Sequence, residues 1–241
     1  REEGRLTGVI LDSALEALAA MILPPSNEVI RRRLLGGLTN LRDAGLCGVT
    51  DMGLEDSHIQ VLRDLDREGA LPIAVEGFAW VKPGQSEFPA PHRGNRFALT
   101  GVKLFADGAL GSRGAALRDP YSDAPLERGL ALWDDADLVR VLGETSARGL
   151  APAVHAIGDR AAGQVLDALE VSRVRGARLE HAQILSAQDV AKMRSLGVIA
   201  GIQSCHYLSD RSWAPERLGN RLAQAYRWGS LAAAGVPLLM G

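Results

Sequence analysis

Cysteine is nearly absent from this 241-residue chain: Cys47 and Cys205 lie far apart, so neither a disulfide scaffold nor a cysteine-rich zinc module can be built. A reducing, cytoplasmic location is the resulting expectation. Long apolar runs are missing as well, because Arg, Asp, Gly or Pro breaks each one before the roughly 18 residues that a membrane span requires. No membrane insertion is expected. Charge of one sign is also lacking: 27 Lys plus Arg face 29 Asp plus Glu, a net charge of -2. Without a positive field to attract a phosphate backbone, no nucleic-acid partner is expected. The opening residues Arg1-Glu2-Glu3-Gly4-Arg5 have no apolar signal-peptide core, and the missing initiator Met leads us to expect that something upstream has been removed.

What is present is a chain 46% hydrophobic and 23% charged, able to bury a sizeable core as one large domain or two small ones. From Ile30 onward one unit repeats: a short β-branched run, a Gly- or Asp-bearing turn, then an amphipathic stretch. The pattern predicts helices at about 27–45, 57–69, 134–148, 159–173, 186–196 and 217–234, with Ser57 and Asp134 as N-caps and Gly69, Gly149 and Gly197 past the C-termini. Strands are predicted at 47–52, 72–79, 100–106, 151–156, 177–182, 198–203 and 236–240. Such alternation gives an α/β fold with a parallel sheet covered on both faces. A doubly wound sheet would prefer a glycine-rich phosphate turn after its first strand, and Cys47 to Gly53 holds none, so a barrel is the better expectation. Seven strands are one short of eight, which reads as a single partial barrel domain over 1–241, cut near both ends. Segments 81–98 and 107–133 are too long for ordinary βα connections and are candidate active-site loops.

In such a barrel the reactive groups project from the C-terminal ends of strands. Lys103, His155, His181 and His206 occupy such places. Each histidine alone reads as a hydrogen-bonded packing residue, but three of them, 26 and 25 residues apart, end three successive predicted strands. Neutral imidazoles converging on one mouth suit a divalent metal such as zinc. Lys103, flanked by Val102, Leu104 and Phe105, must be neutralised, paired or chemically changed to avoid a desolvation cost. Three outcomes stay open for it: a salt bridge to Asp107, one to Glu180, or a carboxylated amine acting as a metal ligand. His58 and His92 read as solvent residues. Asp107-Gly108 reads either as a tight turn or as an acid that orients Lys103, and Asp159 reads as a helix N-cap with a possible substrate contact. Arg113 and Arg160 read as orienting a substrate carboxylate or as loop salt bridges. Trp213, Tyr226 and Trp228 read as packing in the helix-loop layer. Cys205 beside His206 is not a nucleophile pair if that segment is extended, since neighbours on a strand face opposite ways.

The stretch Gly101-Val102-Lys103-Leu104-Phe105-Ala106-Asp107-Gly108-Ala109-Leu110-Gly111-Ser112-Arg113, with Pro120-Tyr121-Ser122-Asp123, resembles the amidohydrolase-3 (YtcJ-like) branch of the metal-dependent amidohydrolase superfamily. So do His155 to Ala161, Arg178-Leu179-Glu180-His181-Ala182, and the ending Gln203-Ser204-Cys205-His206 through Trp213, Arg217-Leu218-Gly219 and Tyr226-Arg227-Trp228. The resemblance implies a (β/α)8 TIM barrel whose metal is held by a His-x-His pair on strand one, a Lys on strand four, a His on each of strands five and six, and an Asp on strand eight. Lys103, His155 and His181 match the middle three and are the implied catalytic and metal residues. Asp107, Arg113, Asp159 and His206 are candidates for substrate contact or for supporting the ligands.

The sequence also departs from that pattern. It has no His-x-His and ends at Leu239-Met240-Gly241, where the family continues into Ser-Asp; the family's β-sandwich is not expected within these residues either. The barrel is therefore expected to be incomplete, without strand one and the end of strand eight. The implied activity is hydrolysis of an amide-type C–N bond in a small-molecule substrate, by metal-activated water attacking a carbonyl, with homo-oligomers possible. By itself the chain is expected to show negligible turnover. The alternatives are a catalytically incompetent or binding remnant of such a barrel, and a metal-free sugar- or phosphate-binding barrel. The latter calls for phosphate-cradling glycines that Gln203-Ser204-Cys205-His206 does not supply.

Overall fold

The helix over Asn27–Asp43 starts at Ser26, whose backbone is extended and whose hydroxyl accepts the Val29 N–H at 3.4 Å. The computed structural model describes residues 21–241 together with Gly8, Ile10 and Leu18. The helix α1 (Asn27–Asp43) leads to β1 (Gly48–Leu54), α2 (Asp56–Arg67) and β2 (Ala74–Trp80). The short β3 (His92–Arg93) precedes β4 (Phe97–Phe105), and α3 (Asp135–Ala147), β5 (Ala151–Ala156), α4 (Asp159–Val171), β6 (Arg178–His181), α5 (Ala187–Leu196) and β7 (Ile199–Ile202) follow. The chain closes with α6 (Ser204–Asp210), α7 (Ala214–Leu218), a 3-10 turn over Gly219–Gln224, α8 (Trp228–Ala233) and β8 (Leu238–Met240).

Seven strands run parallel in the order β1-β2-β4-β5-β6-β7-β8, and β3 adds an antiparallel pair to β4. The sheet is thus an α/β barrel wall that stays open between β1 and β8 among the described residues. Its main core lies between the sheet and α3, α4, α5 and α8, where Val102, Leu104, Val154, Leu179 and Ala200 meet Leu142, Leu166, Met193 and Leu231. A separate cluster joins α1 and α2 to β1 and β2 through Ile30, Leu38, Leu62, Leu65 and Val75. Because side chains alternate along a strand, turning Val102 and Leu104 to the helices turns Lys103 and Phe105 to the other face. That alternation delivers polar residues to the mouth.

The structure corrects several expectations. Ser57 lies inside α2, with Glu55 at the N-cap position and no side-chain cap bond, because the chain turns helical one residue earlier. Asp134 does cap α3, accepting from the Asp137 N–H at 2.8 Å. The helix expected over 217–234 is three pieces, broken where Gly219 and Tyr226 take φ of 53° each. Segment 204–210 is helical rather than extended, so the reason given against a Cys205–His206 pair does not hold; Cys205 is simply exposed. Of the two expected active-site loops, 81–98 lies along α3. Gly84 N–H donates to Asp137 at 3.1 Å, the Arg148 guanidinium sits over the Phe88 ring at 4.8 Å, and Asp66 takes the Asn95 and Arg96 N–H groups. Segment 107–133 does roof the mouth, packed by buried Leu110, Leu117 and Tyr121 against Ile157, Ile184 and Leu218.

Candidate active site

The site begins where β4, β5, β6 and β7 end side by side. Phe105 stands opposite His155 in the β4–β5 register, and His155 stands opposite Glu180 in the β5–β6 register. Regular alternation would send His181, opposite Ala156, toward the helix layer. It does not go there. His181 takes φ of 72° and Ala182 φ of 42°, a left-handed excursion that turns the ring back to the mouth. The His155 and His181 rings then meet edge to face with centroids 4.6 Å apart, and His206, carried on α6, stacks on His181 at 5.3 Å. Phe105 adjoins His155 at 5.4 Å, which makes a continuous row of four rings.

Asp107, only 2% exposed, is the hub beneath this row. Its carboxylate accepts the N–H groups of Ala116 at 2.9 Å, Ile157 at 3.0 Å and Gly158 at 2.8 Å, and lies 3.2 Å from His155 Nε2. The same Nε2 is 3.3 Å from the Gly108 carbonyl. A carbonyl can only accept, so this contact places the proton on Nε2 and leaves Nδ1 with its lone pair. Of the readings weighed for Asp107, an acid orienting Lys103 is corrected: its lone pairs are taken by backbone and by His155.

Lys103 is 3% exposed, with Nζ 4.9 Å from the Phe105 ring centroid. Burial pushes its ammonium down to about 8, Glu180 opposing that and Arg178 adding to it. Glu180 itself is bonded to Arg178 Nε at 2.7 Å, so it attracts Lys103 electrostatically without being its hydrogen-bonded partner. Burial, with His155 next in weight, pushes the His181 imidazole down to about 3, while a bond from His181 Nδ1 to Gln203 Oε1 at 2.7 Å works the other way. Both titratable groups are therefore biased toward neutral nitrogen with a free lone pair.

The other expected site residues make contacts within the surrounding loops and helices. Arg113 pairs with Asp123 at 2.8 Å, and Arg217 joins the same carboxylate, which pins the 107–133 roof to α7. Asp159 is not the cap of α4, whose N-cap is Gly158; buried, it accepts the Arg118 N–H at 3.0 Å. The Arg160 backbone N–H donates to Ala116 O at 3.1 Å, and the residue lines a cleft with Arg118, Asp135, Gln164 and Asp167. His58 and His92 are half-buried rather than solvent residues: His58 Nδ1 is buried with no hydrogen-bond partner among the described residues, and His92 packs on Phe97 at 5.6 Å. Tyr226 and Trp228 pack as expected but also line a cleft of about 380 Å³ with Tyr207, Arg211, Leu222 and Ala225. Tyr226 Oη donates to Asp210 at 2.8 Å and accepts from Gln183 Nε2 at 2.9 Å. Sequence reasoning missed Gln203, Gln183, Asp210 and the Gly108 carbonyl. Only Gln203 carried a usable signal, a polar residue ending a predicted strand, the criterion that picked out the histidines.

The donors fit a divalent cation in kind, being two desolvated imidazoles and a buried amine of reduced basicity. Among the described residues no group of three or more His, Cys, Asp or Glu is arranged to hold a metal.

A parallel barrel wall with this row at its C-terminal end is an α/β barrel of TIM type. The amidohydrolase family description (Amidohydro_3) matches residues 1–241, and the chain belongs to that family. It is similar to YtcJ of Bacillus subtilis (strain 168), 29% identical over 255 residues that cover 97% of this chain and 46% of the relative. Two solved structures of uncharacterized metal-dependent hydrolases are also similar. The one from Pyrococcus horikoshii OT3 is 29% identical with a TM-score of 0.86, over 98% of this chain and 49% of that one. The one from Pyrococcus furiosus is 27% identical with a TM-score of 0.82, over 95% and 48%. The chain thus spans about half the length of these relatives.

Proposed function

We propose that this chain builds part of a metal-dependent hydrolase site that cleaves an amide-type C–N bond in a small-molecule substrate in the cytoplasm. Lys103, His155 and His181 would hold the divalent cation, zinc being the best match to nitrogen donors. The observation that carries this reading is the 4.6 Å approach of the His155 and His181 rings in a chain of the amidohydrolase family. When bound, such an ion supplies Lewis-acid polarisation of a carbonyl and makes a water acidic enough to attack it. The residues of the chain supply the rest. Burial keeps the His181 ring neutral, and Asp107 with the Gly108 carbonyl fixes the His155 ring through Nε2. With its ammonium lowered to about 8, Lys103 gives up its proton far more readily than a surface lysine, as a carboxylated or directly ligating amine requires. The 107–133 roof and the His206 ring restrict water around the row.

Calorimetry with zinc is the test. The wild-type protein is expected to bind zinc, and His155→Ala and His181→Ala are each expected to weaken binding by more than tenfold. Binding unchanged in both variants would sink the reading. That no group of three or more His, Cys, Asp or Glu is arranged to hold a metal among the described residues favours a second reading, a barrel that binds but does not turn over. Zinc-dependent hydrolysis of N-acyl or N-formyl substrates, lost in His155→Ala, separates the two.

A further inference from the structure

Resting on the reading of His181 as a donor, we propose that Gln203 is a positioning residue that selects the tautomer of His181. Its side-chain oxygen takes the Nδ1 proton, so that the Nε2 lone pair is presented to the space beside His155. Gln203 follows β7 directly, and its Oε1 lies 2.7 Å from His181 Nδ1, a short contact for a nitrogen–oxygen pair. The amide also reaches the next strand, since a Cβ at Gly241, the residue after β8, would lie 3.5 Å from Gln203 Nε2. Gln203 therefore spans from the end of β6 to the end of β8, its oxygen on the imidazole side and its nitrogen on the β8 side.

The ring needs such a device. The left-handed φ of 72° at His181 fixes where the imidazole sits but leaves its protonated nitrogen undetermined. Among the described residues Gln203 is the one hydrogen-bond partner the ring has. An amide oxygen only accepts, so it admits Nδ1–H and excludes the lone pair at that atom. The neighbouring ring is held the opposite way, with Nε2 facing the Gly108 carbonyl. The two histidines of the row then offer different nitrogens, Nδ1 from His155 and Nε2 from His181. Two rings meeting edge to face at 4.6 Å and 72° can so aim lone pairs at one region without turning.

Long-range proton–nitrogen correlation spectra of the metal-free protein with labelled histidine read the tautomer directly. His181 should show a protonated Nδ1 and an unprotonated Nε2. Gln203→Leu, which keeps the bulk and removes the acceptor, should shift it toward a mixture, and Gln203→Glu, which keeps an acceptor, should preserve the wild-type pattern. Gln203 is only half-buried, so both variants should fold, with circular dichroism as the check. If Gln203→Leu does not fold, the wild-type and Gln203→Glu spectra still decide the assignment. A protonated Nε2 in the wild type, or a pattern unmoved by Gln203→Leu, overturns the proposal. Zinc titration is the second arm: Gln203→Leu should weaken binding 10- to 100-fold and Gln203→Glu by no more than a few-fold. Zinc affinity unaffected by Gln203→Leu also counts against the role. A wild type that shows the expected tautomer but binds no zinc fails the metal reading alone and leaves the positioning role standing.

Discussion

At Asp107 one side chain does the work of a small network. Its carboxylate satisfies three backbone N–H groups from two different loops and touches His155 as well. Asp107→Ala would leave those donors buried and unpaired, each costing about 1–3 kcal/mol, so a loss of about 3 kcal/mol or more is expected in urea unfolding. A loss under about 1 kcal/mol would mean that water replaces the carboxylate. His181 gives a prediction in pH. Its folded value of about 3 lies below the ordinary 6.5, so between those values the unfolded chain binds a proton that the metal-free native state refuses. Native stability is then complete above about pH 6.5 and falls as pH drops toward 3, by at most about 1.4 kcal/mol per pH unit, less where solvent reaches the half-buried ring. His181→Gln should flatten that part of the acid limb in unfolding curves collected from pH 7 to 4.

Among the elements, β4 is the most constrained by its neighbours. A Cβ at Gly101 would collide with the Phe78 ring of β2 and come within 2.5 Å of the Ala151 carbonyl of β5. Gly101→Ala is therefore expected to destabilise by about 1–3 kcal/mol, since the strand cannot move away from one partner without approaching the other. Thermal unfolding measures it. The α5 start tests a different force: Ser186 and Asp189 form a reciprocal capping box, and Asp189 also holds Arg118 at 3.1 Å. Ser186→Ala should cost about 1 kcal/mol, and Asp189→Ala more, because it frees Arg118 as well. The elements differ in how openly their residues announced them. Asp134 and Gly197 mark α3 and α5 in the sequence, and both boundaries fall where local rules put them. By contrast, α6 is 7 residues with no side-chain cap and no buried residue, so nothing local distinguishes Ser204–Asp210 from an extended segment.

In the molecule as a whole, stability is graded across the sheet. β4 and β5 lie inside it, backed by the largest apolar cluster, while β1 and β8 each pair on one side only among the described residues. Hydrogen exchange should therefore be slowest for amides of Phe97–Phe105 and Ala151–Ala156 and fastest among the strands for β8, whose Leu239 and Met240 are exposed. Protection in β8 equal to that in β5 would show that the open edge is covered in solution.

From the residues alone came the α/β class, the parallel strands, and the placing of Lys103, His155 and His181 at strand ends, because period-2 and period-3.6 patterning are properties of the local chain. The motif order from Gly101 to Trp228 likewise led to the amidohydrolase family, which matches 1–241. What the sequence could not decide is where His181 points. A strand pattern assigns it to the helix layer, and a left-handed φ of 72° reverses that. Such a backbone is unfavourable in isolation and persists only because the packing around it over-determines it. Asp107 follows the same logic. Nothing nearby in the chain shows that its partners are Ala116, Ile157 and Gly158, since those N–H groups meet only once β4 and β5 lie side by side. Which residues are polar and at strand ends is local; which nitrogen faces which oxygen is a property of the closed contacts between strands.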